Sequence, residues 1–232
     1  IALGLKKKNF TFYFQTQGPK KSQEYMNLSK LASAKTTFNE VRAIYGDITP
    51  QKLISALTQT ADIIYPQLEG VKTTLTPIGF DQIPHANFSR DLASRMKFSP
   101  PSFTFHKLIP GLQGPNTKMS SSKPESYISF SDDERTVKNK INKYAFSGGK
   151  ATLKEHKEKG GNPDIDVSFI WLRYLFEDDD KKLNKIENDY KSGKLLTGEL
   201  KEILIEKINR FLKEHNKKKE IARKQSDGFL KN

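Results

Sequence analysis

The sequence contains no cysteine among its 232 residues, and this absence removes several kinds of chemistry at once. Disulfide bridges, thiolate zinc sites and cysteine nucleophiles are all excluded. Histidine is scarce as well, because the chain has only four, and none of them forms the HExxH pair of a zinc protease. We therefore expect no metal site built from protein side chains.

Long apolar runs are also missing. The most apolar window, VSFIWLRYLF at 167–176, is ten residues long and contains Arg173, whereas a membrane-spanning helix needs about 20 apolar residues. No membrane span is expected. The chain opens on Ile1, and IALGL precedes KKK, which reverses the charge order of a secretory signal. This opening favours an excised segment over a natural start.

Acidic residues are outnumbered, since 40 Lys and Arg stand against 27 Asp and Glu, giving a formal charge of +13 and a pI near 9.6. The excess is shared by both halves of the chain, with +7 in 1–117 and +6 in 118–232. Such a charge favours a polyanionic partner through phosphate neutralisation and counterion release. A general lysine bias that keeps the protein in solution accounts for the same numbers, so both interpretations stay open at this point.

The first half of the chain alternates strand and helix patterns. Strands are predicted at 10–16, within 71–79 and at 102–109, where aromatic or β-branched residues alternate with polar ones. Helices are predicted over 24–45 with Gly46 as the stop, from Thr49-Pro50 to near Pro66, and around 88–96. The alternation indicates an α/β fold with a parallel sheet, in which ligands gather at the carboxyl ends of strands.

The second half is predicted to be helical throughout. Ser131-Asp-Asp-Glu134 matches a capping box for one helix, and AFSGGK at 145–150 breaks it. Asp164 or Asp166 opens the next helix, in which Trp171 is expected to be a core residue. EDDDKK at 177–182 is interpreted as a turn whose acids cap a further helix, closed by Gly193, and not as a metal cluster. The last helix begins near Glu199 and is expected to dissolve into KKKEIARK.

The stretch NTKMSSSKPES at 116–126 carries the most specific chemistry. A phosphate-binding loop needs backbone N–H groups and short hydroxyls that approach closely, with a mobile cation. Lys118 supplies the cation and Ser120, Ser121 and Ser122 the hydroxyls, while Met119 would anchor the loop on an apolar patch. The Walker pattern GxxxxGK[ST] is absent. The pattern alone leaves phosphate binding and a solvated polar loop as alternatives.

Several segments together resemble a known family. KMSSS is similar to the KMSKS signature of class I aminoacyl-tRNA synthetases, and IGFDQ at 78–82 with SRD at 89–91 resembles the nucleotide and amino-acid loop of the tryptophanyl and tyrosyl branch. Further segments resemble tryptophanyl-tRNA synthetases of the eukaryotic and archaeal type: LIPGLQGPNTKMSSS, INKYAFSGG, EHKEKGGNPDIDVSF, LFEDDD and YKSGKLLTGELK. The resemblance implies a partial Rossmann-type catalytic domain at 1–130 and an all-α anticodon-binding domain at 131–232.

The resemblance also assigns roles to particular residues. Lys118, Ser120 and Ser122 would be catalytic, stabilising the ATP phosphates while the tryptophan carboxylate attacks the α-phosphate, and ATP would also touch Met119, Ser121 and Asp81. The amino acid would be bound by Gln59 and Gln82, whose amides both donate and accept. Lys150 would approach the anticodon loop. The implied partners are tryptophan, tRNA(Trp) and ATP with Mg²⁺ held through its phosphates, in a cytoplasmic homodimer whose interface includes 10–46.

One part of the family pattern is missing from this sequence. No HIGH-like string occurs, although in this class such a motif holds ATP phosphates at a helix N-terminus. The chain is therefore expected to be a C-terminal fragment that is inactive alone, with the indole-reading groups upstream of it. Two alternatives stay open: a tyrosyl-tRNA synthetase, and a non-catalytic tRNA-binding or signalling fragment.

Overall fold

The computed structural model describes residues 2–4, 6, 9 and 18–224. These fall into two compact units: residues 18–108 belong to the first, and residues 109–224 together with 2–4, 6 and 9 belong to the second. The strand predicted at 10–16 lies outside the described residues. Within the described residues, no helix is long and apolar enough to cross a membrane.

Over residues 18–108, the first unit combines four α-helices with a pair of strands. Its elements are α1 (Gly18–Ala34), α2 (Phe38–Tyr45), α3 (Pro50–Ile64), a 3₁₀ turn (Tyr65–Glu69), β1 (Leu75–Gly79), a 3₁₀ turn (Phe80–Gln82), α4 (Ile83–Arg95) and β2 (Ser102–His106). The two strands are parallel, with Leu75 opposite Ser102 and Gly79 opposite His106. The predicted parallel α/β arrangement is confirmed in these residues.

The helices of the first unit bury one side each against a shared core. Leu28, Val41, Leu57, Ile64 and Leu92 are almost fully buried in it. Thr49 caps α3 by accepting a hydrogen bond from the Lys52 N–H at 3.2 Å, as Thr49-Pro50 predicts.

The prediction of one helix over 24–45 is wrong. Helix α1 ends at Ala34, and a separate helix begins at Phe38 because Thr37 takes an extended conformation and forms a capping box with Glu40. The Thr37 side chain accepts from the Glu40 N–H, and the Glu40 carboxylate accepts from the Thr37 N–H at 2.8 Å. Gly46 ends α2 at a φ of 74°, a left-handed value that favours glycine.

The second unit is built from helices around one core. Its elements are α5 (Glu134–Tyr144), α6 (Leu153–Lys159), α7 (Val167–Trp171), a π-helical turn (Leu172–Phe176), α8 (Asp180–Lys191) and α9 (Thr197–Arg223), preceded by a 3₁₀ turn (Pro124–Ser126). Trp171 is a core residue as predicted, and its Nε1 donates to the Pro110 carbonyl at 2.9 Å. Leu200, Leu204 and Ile208 of α9 are buried in the same core.

Two of the predicted helix starts are confirmed. Asp166 caps α7 by accepting from the Ser168 N–H at 2.9 Å, and Asp179 caps α8 by accepting from the Lys181 N–H at 2.9 Å. The 177–182 segment is thus a capped turn, and the residues that the structure describes hold no group of three or more potential metal ligands.

Three expectations for the second unit are corrected. The cap of α5 is Asp133, which accepts from the Thr136 N–H at 2.7 Å, while the Ser131 hydroxyl pairs with Ser129. Helix α9 does not end in the lysine tract but continues to Arg223, because lysine is a good helix former. The sequence reasoning also missed α6, which is capped by Thr152.

The division between the units differs from the predicted cut near residue 130. Residues 109–130 group with the helical unit because Leu112 is fully buried in its core and Ile109, Met119 and Ile128 pack against that core. The lysine–serine loop, residues 117–126, therefore belongs structurally to the second unit.

Candidate functional site

The carboxyl end of β1 carries the first group of predicted site residues. The strand ends at Gly79, and the following 3₁₀ turn presents Asp81 and Gln82. A Cβ atom at Gly79 would lie 2.7 Å from the Asp81 Oδ1 and 3.1 Å from the Leu108 side chain, so a larger residue would displace the Asp81 carboxylate. Glycine at the end of the strand therefore leaves room for the Asp81 carboxylate.

A chain of amides and one carboxylate links α3 to this turn. The Gln59 Nε2 donates to the Gln82 Oε1 at 3.3 Å, and the Gln82 Nε2 donates to the Asp81 Oδ2 at 3.2 Å. Thr60 and Ser89, both buried, share a hydrogen bond of 3.0 Å that ties α3 to α4 beside it. The structure thus brings together Gln59, Gln82 and Asp81.

His85 lies in the first turn of α4, three residues after Gln82. Burial lowers the pKa of its imidazole, and the nearby Asp81 charge opposes that shift. Its ring meets Tyr45 edge-on, with centroids 5.1 Å apart. A neutral imidazole is therefore favoured beside the carboxylate.

The lysine–serine loop of the second unit is ordered by a compact backbone turn. The Gly111 N–H donates to the Thr117 carbonyl at 2.8 Å, and the Thr117 hydroxyl donates to the Gly114 carbonyl at 2.8 Å. A Cβ at Gly111 would stand 3.1 Å from the Ser126 carbonyl, which leaves little room for any other residue. Pro110 pairs with Lys118 in an antiparallel bridge, and Met119 packs on the core as predicted.

Three hydroxyls organise the loop itself. The Ser120 and Ser122 oxygens lie 2.9 Å apart, so the two side chains are on the same side. Ser126, which is 1% exposed, accepts from the Ser120 N–H at 2.9 Å and donates to the Lys123 carbonyl at 2.7 Å. Sequence reasoning missed Ser126, although it stands in the same polar stretch. Its buried hydroxyl holds the two ends of the serine turn together.

The segment after the loop is fastened to α5. The Lys140 Nζ pairs with the Asp132 Oδ2 at 2.7 Å, and both side chains are mostly buried. The same ammonium donates to the Tyr127 carbonyl at 3.3 Å and lies 5.2 Å from the centre of the Tyr127 ring. The loop therefore projects from a fixed base.

Lys150 follows a glycine pair that is held by a buried polar network. Asp166 accepts from the Gly148 N–H at 2.8 Å and from the Tyr190 hydroxyl at 2.7 Å. Burial first, and then the Asp166 charge, raises the pKa of Tyr190 to about 12. A Cβ at Gly148 would overlap the Asn162 carbonyl, so only glycine fits. The exposed Lys150 side chain thus starts from a rigid backbone.

A groove of about 1380 Å³ opens beside Lys150, between α5, α6 and α9. Its lining includes charged and polar side chains from these elements and the preceding turn: Arg135, Lys138, Asn142, Lys150, Thr152 and Glu199. Burial lowers the pKa of Lys201, whose Nζ donates to the Asn142 carbonyl at 3.3 Å.

The first unit therefore brings three polar side chains together after a parallel strand: Asp81, Gln82 and Gln59. The second unit has one ordered loop with a lysine, a methionine and three serines: Lys118, Met119, Ser120, Ser121 and Ser122. It also places Lys150 beside a groove. Together they define an α/β protein with a polar cluster at a strand's carboxyl end and a separate loop rich in short donors. The sequence profile described as "tRNA synthetases class I (W and Y)" matches residues 1–213. The chain belongs to this family.

Individual relatives indicate which branch of this family the chain resembles. The tryptophan–tRNA ligase of Sulfolobus acidocaldarius is 45% identical over 93% of this chain and 56% of its own length. The cytoplasmic tryptophan–tRNA ligase of Homo sapiens is 40% identical over 85% of this chain and 44% of its own. The crystal structure of the tryptophanyl-tRNA synthetase of Aeropyrum pernix superposes with a TM-score of 0.91 at 39% identity, over 99% of this chain and 63% of that one. The chain thus spans a little over half the length of its archaeal relatives.

Proposed function

We propose that the protein is a tryptophan–tRNA ligase, which activates tryptophan with ATP to tryptophanyl-adenylate and transfers it to tRNA(Trp). The observation that carries the proposal is the hydroxyl- and lysine-bearing loop at 117–126, ordered by Ser126, in a member of the class I family. A structured loop of this kind can offer N–H groups, hydroxyls and one ammonium to phosphate oxygens without reorganising first.

Lys118 would stabilise the charge that grows on the phosphates when the tryptophan carboxylate attacks the α-phosphate and pyrophosphate leaves. Ser120 and Ser122 share a face of the loop and would donate to the same phosphates. Magnesium would enter bound to the ATP phosphates, which are the oxygen ligands that it commonly takes in nucleotide sites. It would neutralise phosphate charge there.

Gln82 would orient the amino acid's main chain. Its amide is already held by Gln59 and Asp81, so one rotamer is favoured before the substrate arrives. Asp81 would accept from the ATP ribose hydroxyls, as a carboxylate readily does. Pre-ordering lowers the entropy lost on binding.

The helical residues from 131 onward would form an anticodon-binding domain, with Lys150 contacting the tRNA. An ammonium on a glycine-fixed backbone beside a groove suits a phosphate contact. A homodimer in the cytoplasm is part of the same proposal, and its support is the resemblance to the ligase family.

Aminoacylation of a tRNA(Trp) transcript by the full-length gene product tests the function. We expect incorporation of tryptophan and none of tyrosine. Tyrosine incorporation on tRNA(Tyr) would establish the tyrosyl alternative, and RNA binding without any amino-acid transfer would favour a non-catalytic tRNA-binding protein.

A further inference from the structure

Helix α9 leaves its core well before it ends. Its last buried residue is Leu212, yet the helix continues to Arg223. Residues 213–224 are exposed, apart from the half-buried His215 and Ala222. We call this segment the basic helix end. At a rise of 1.5 Å per residue, Lys213 lies about 6 Å further along the axis than Asn209, the last α9 residue that lines the groove beside Lys150.

The face of α9 that is apolar in the core carries His215 and Lys219 in the basic helix end. Ile205, Ile208 and Leu212 form the buried stripe, at spacings of three and four residues. The same spacing continues through His215 to Lys219. An apolar partner on this face would have to desolvate the Lys219 charge, which is costly. The face therefore fits an anionic surface.

Positively charged residues outnumber negatively charged ones in the basic helix end. It contains six Lys and Arg against two Asp and Glu, counted over 213–224. Its two acids pair with arginines, Glu214 with Arg210 at 3.5 Å and Glu220 with Arg223 at 3.8 Å. Within the described part of the chain no acid is paired with Lys217, Lys218 or Lys219, so their positive charge is directed to solvent.

Partly exposed aromatic rings stand at the root of the basic helix end. Phe130 stacks on His215 with ring centroids 4.6 Å apart and planes 21° apart, and Phe211 is 6.0 Å from Phe130. Phe130 is 49% exposed and Phe211 38% exposed. Lysines beside partly exposed aromatic rings are the combination that binds RNA, through phosphates and an unpaired base.

We propose that the basic helix end, with Phe130 and Phe211, is a second RNA-binding surface that contacts the phosphate backbone of the tRNA. That the RNA is tRNA rests on the proposed function. An anionic membrane fits less well, because an interfacial helix needs a broad apolar face, and the only apolar residues among 213–224 are Ile221 and Ala222.

The test measures binding of a fluorescent tRNA(Trp) transcript to the full-length gene product between 50 and 300 mM KCl, over which the Debye length falls from about 14 Å to about 6 Å. The variant is Lys217→Gln/Lys218→Gln/Lys219→Gln, which removes three charges and keeps good helix formers. Lys181→Gln/Lys182→Gln/Lys185→Gln on exposed positions of α8 removes the same charge elsewhere. Lys217→Arg/Lys218→Arg/Lys219→Arg keeps the charge.

We call Lys217→Gln/Lys218→Gln/Lys219→Gln the tract variant. We expect it to raise the Kd for tRNA(Trp) by roughly tenfold at low salt and to lower the steepness of log K against log[KCl] by about 2. The α8 variant and the arginine variant should bind like the unmodified protein. A tract variant with unchanged Kd and slope, or an equal loss in the α8 variant, overturns the proposal. Vesicles of phosphatidylserine are tested in parallel, and loss of vesicle binding by the tract variant with its RNA binding intact also overturns the proposal. Tryptophan-dependent ATP–pyrophosphate exchange needs no RNA, so its absence would contradict the proposed function separately.

Discussion

The Gln59 Nε2 lies 3.3 Å from the Gln82 Oε1, across 23 positions of sequence, and joins the middle of α3 to the turn that follows β1. The Gln82 amide is held at both ends, because its Nε2 also donates to the Asp81 Oδ2 at 3.2 Å. Under the proposed function, the contact with Gln59 would orient the Gln82 amide toward the amino acid.

We expect Gln59→Ala to raise the KM for tryptophan by roughly tenfold, because an amide partner worth about 1–2 kcal/mol is lost. The KM for ATP should change little. Gln51→Ala, at an exposed position near the start of α3, is the control. Steady-state exchange kinetics decide, and an equal rise in both KM values would show that Gln59 acts on the fold as a whole.

Lys118→Ala in the full-length gene product should lower the rate of tryptophan activation by at least about tenfold, since a cation that meets developing phosphate charge contributes mainly in the transition state. Tryptophan affinity should stay close to that of the unmodified protein. Single-turnover adenylate formation separates the two quantities. Lys123→Ala, in the same loop, is the comparison, and an unchanged Lys118→Ala rate would mean that the loop is not catalytic.

Ser126→Ala removes the hydroxyl that bridges the Ser120 N–H and the Lys123 carbonyl. Losing such a buried bond costs about 1–3 kcal/mol in the ordered loop. We expect a lower kcat with nearly the same KM for tryptophan. Ser131→Ala removes an exposed hydroxyl nearby and should be silent. Identical kinetics for the two variants would contradict a positioning role for Ser126.

Tyr190→Phe tests the network under Lys150. At pH 8 the variant should be less stable by about 1–3 kcal/mol, because Asp166 loses a buried donor. The pKa of Tyr190 rises from 10.0 to about 12 on folding, so its contribution is complete below pH 10. It falls between pH 10 and 12, where the unfolded chain ionises first.

The stability gap between the unmodified protein and Tyr190→Phe should therefore narrow as pH rises from 10 to 12. Urea unfolding followed by circular dichroism at pH 8, 10 and 11 measures it. Tyr174→Phe, at a half-exposed ring, provides the matched control. A gap that stays constant over this range would contradict the raised pKa.

Local chemistry explains which elements the sequence could predict. The side chains of Thr49, Asp166 and Asp179 cap helices by accepting from backbone N–H groups two or three residues later in the sequence. Each helix start can therefore be predicted from a few consecutive residues. Helix α6 was missed because LKEHKEK has no apolar stripe, and its Leu153 is 57% exposed. The break at Thr37 was missed because the apolar spacing runs through it.

The candidate site was predictable as residue types but not as contacts. Lys118 and the serines are conspicuous in sequence, and the family resemblance selects Gln59, Asp81 and Gln82. The role of Ser126 depends on the chain turning back on itself between Ser120 and Ser126, which no periodic pattern records. The assignment of 109–130 to the helical unit likewise depends on packing by Leu112.

The central claim is that the loop at 117–126 works on ATP for tryptophan and only as part of a larger cradle. The most direct test is amino-acid-dependent ATP–pyrophosphate exchange by the full-length gene product and by the 232-residue chain alone, side by side. We predict tryptophan-dependent exchange for the full-length product, none with tyrosine, and none for the chain alone because it contains no HIGH-like string. Exchange driven by tyrosine, or tryptophan-dependent exchange by the chain alone, would contradict this account.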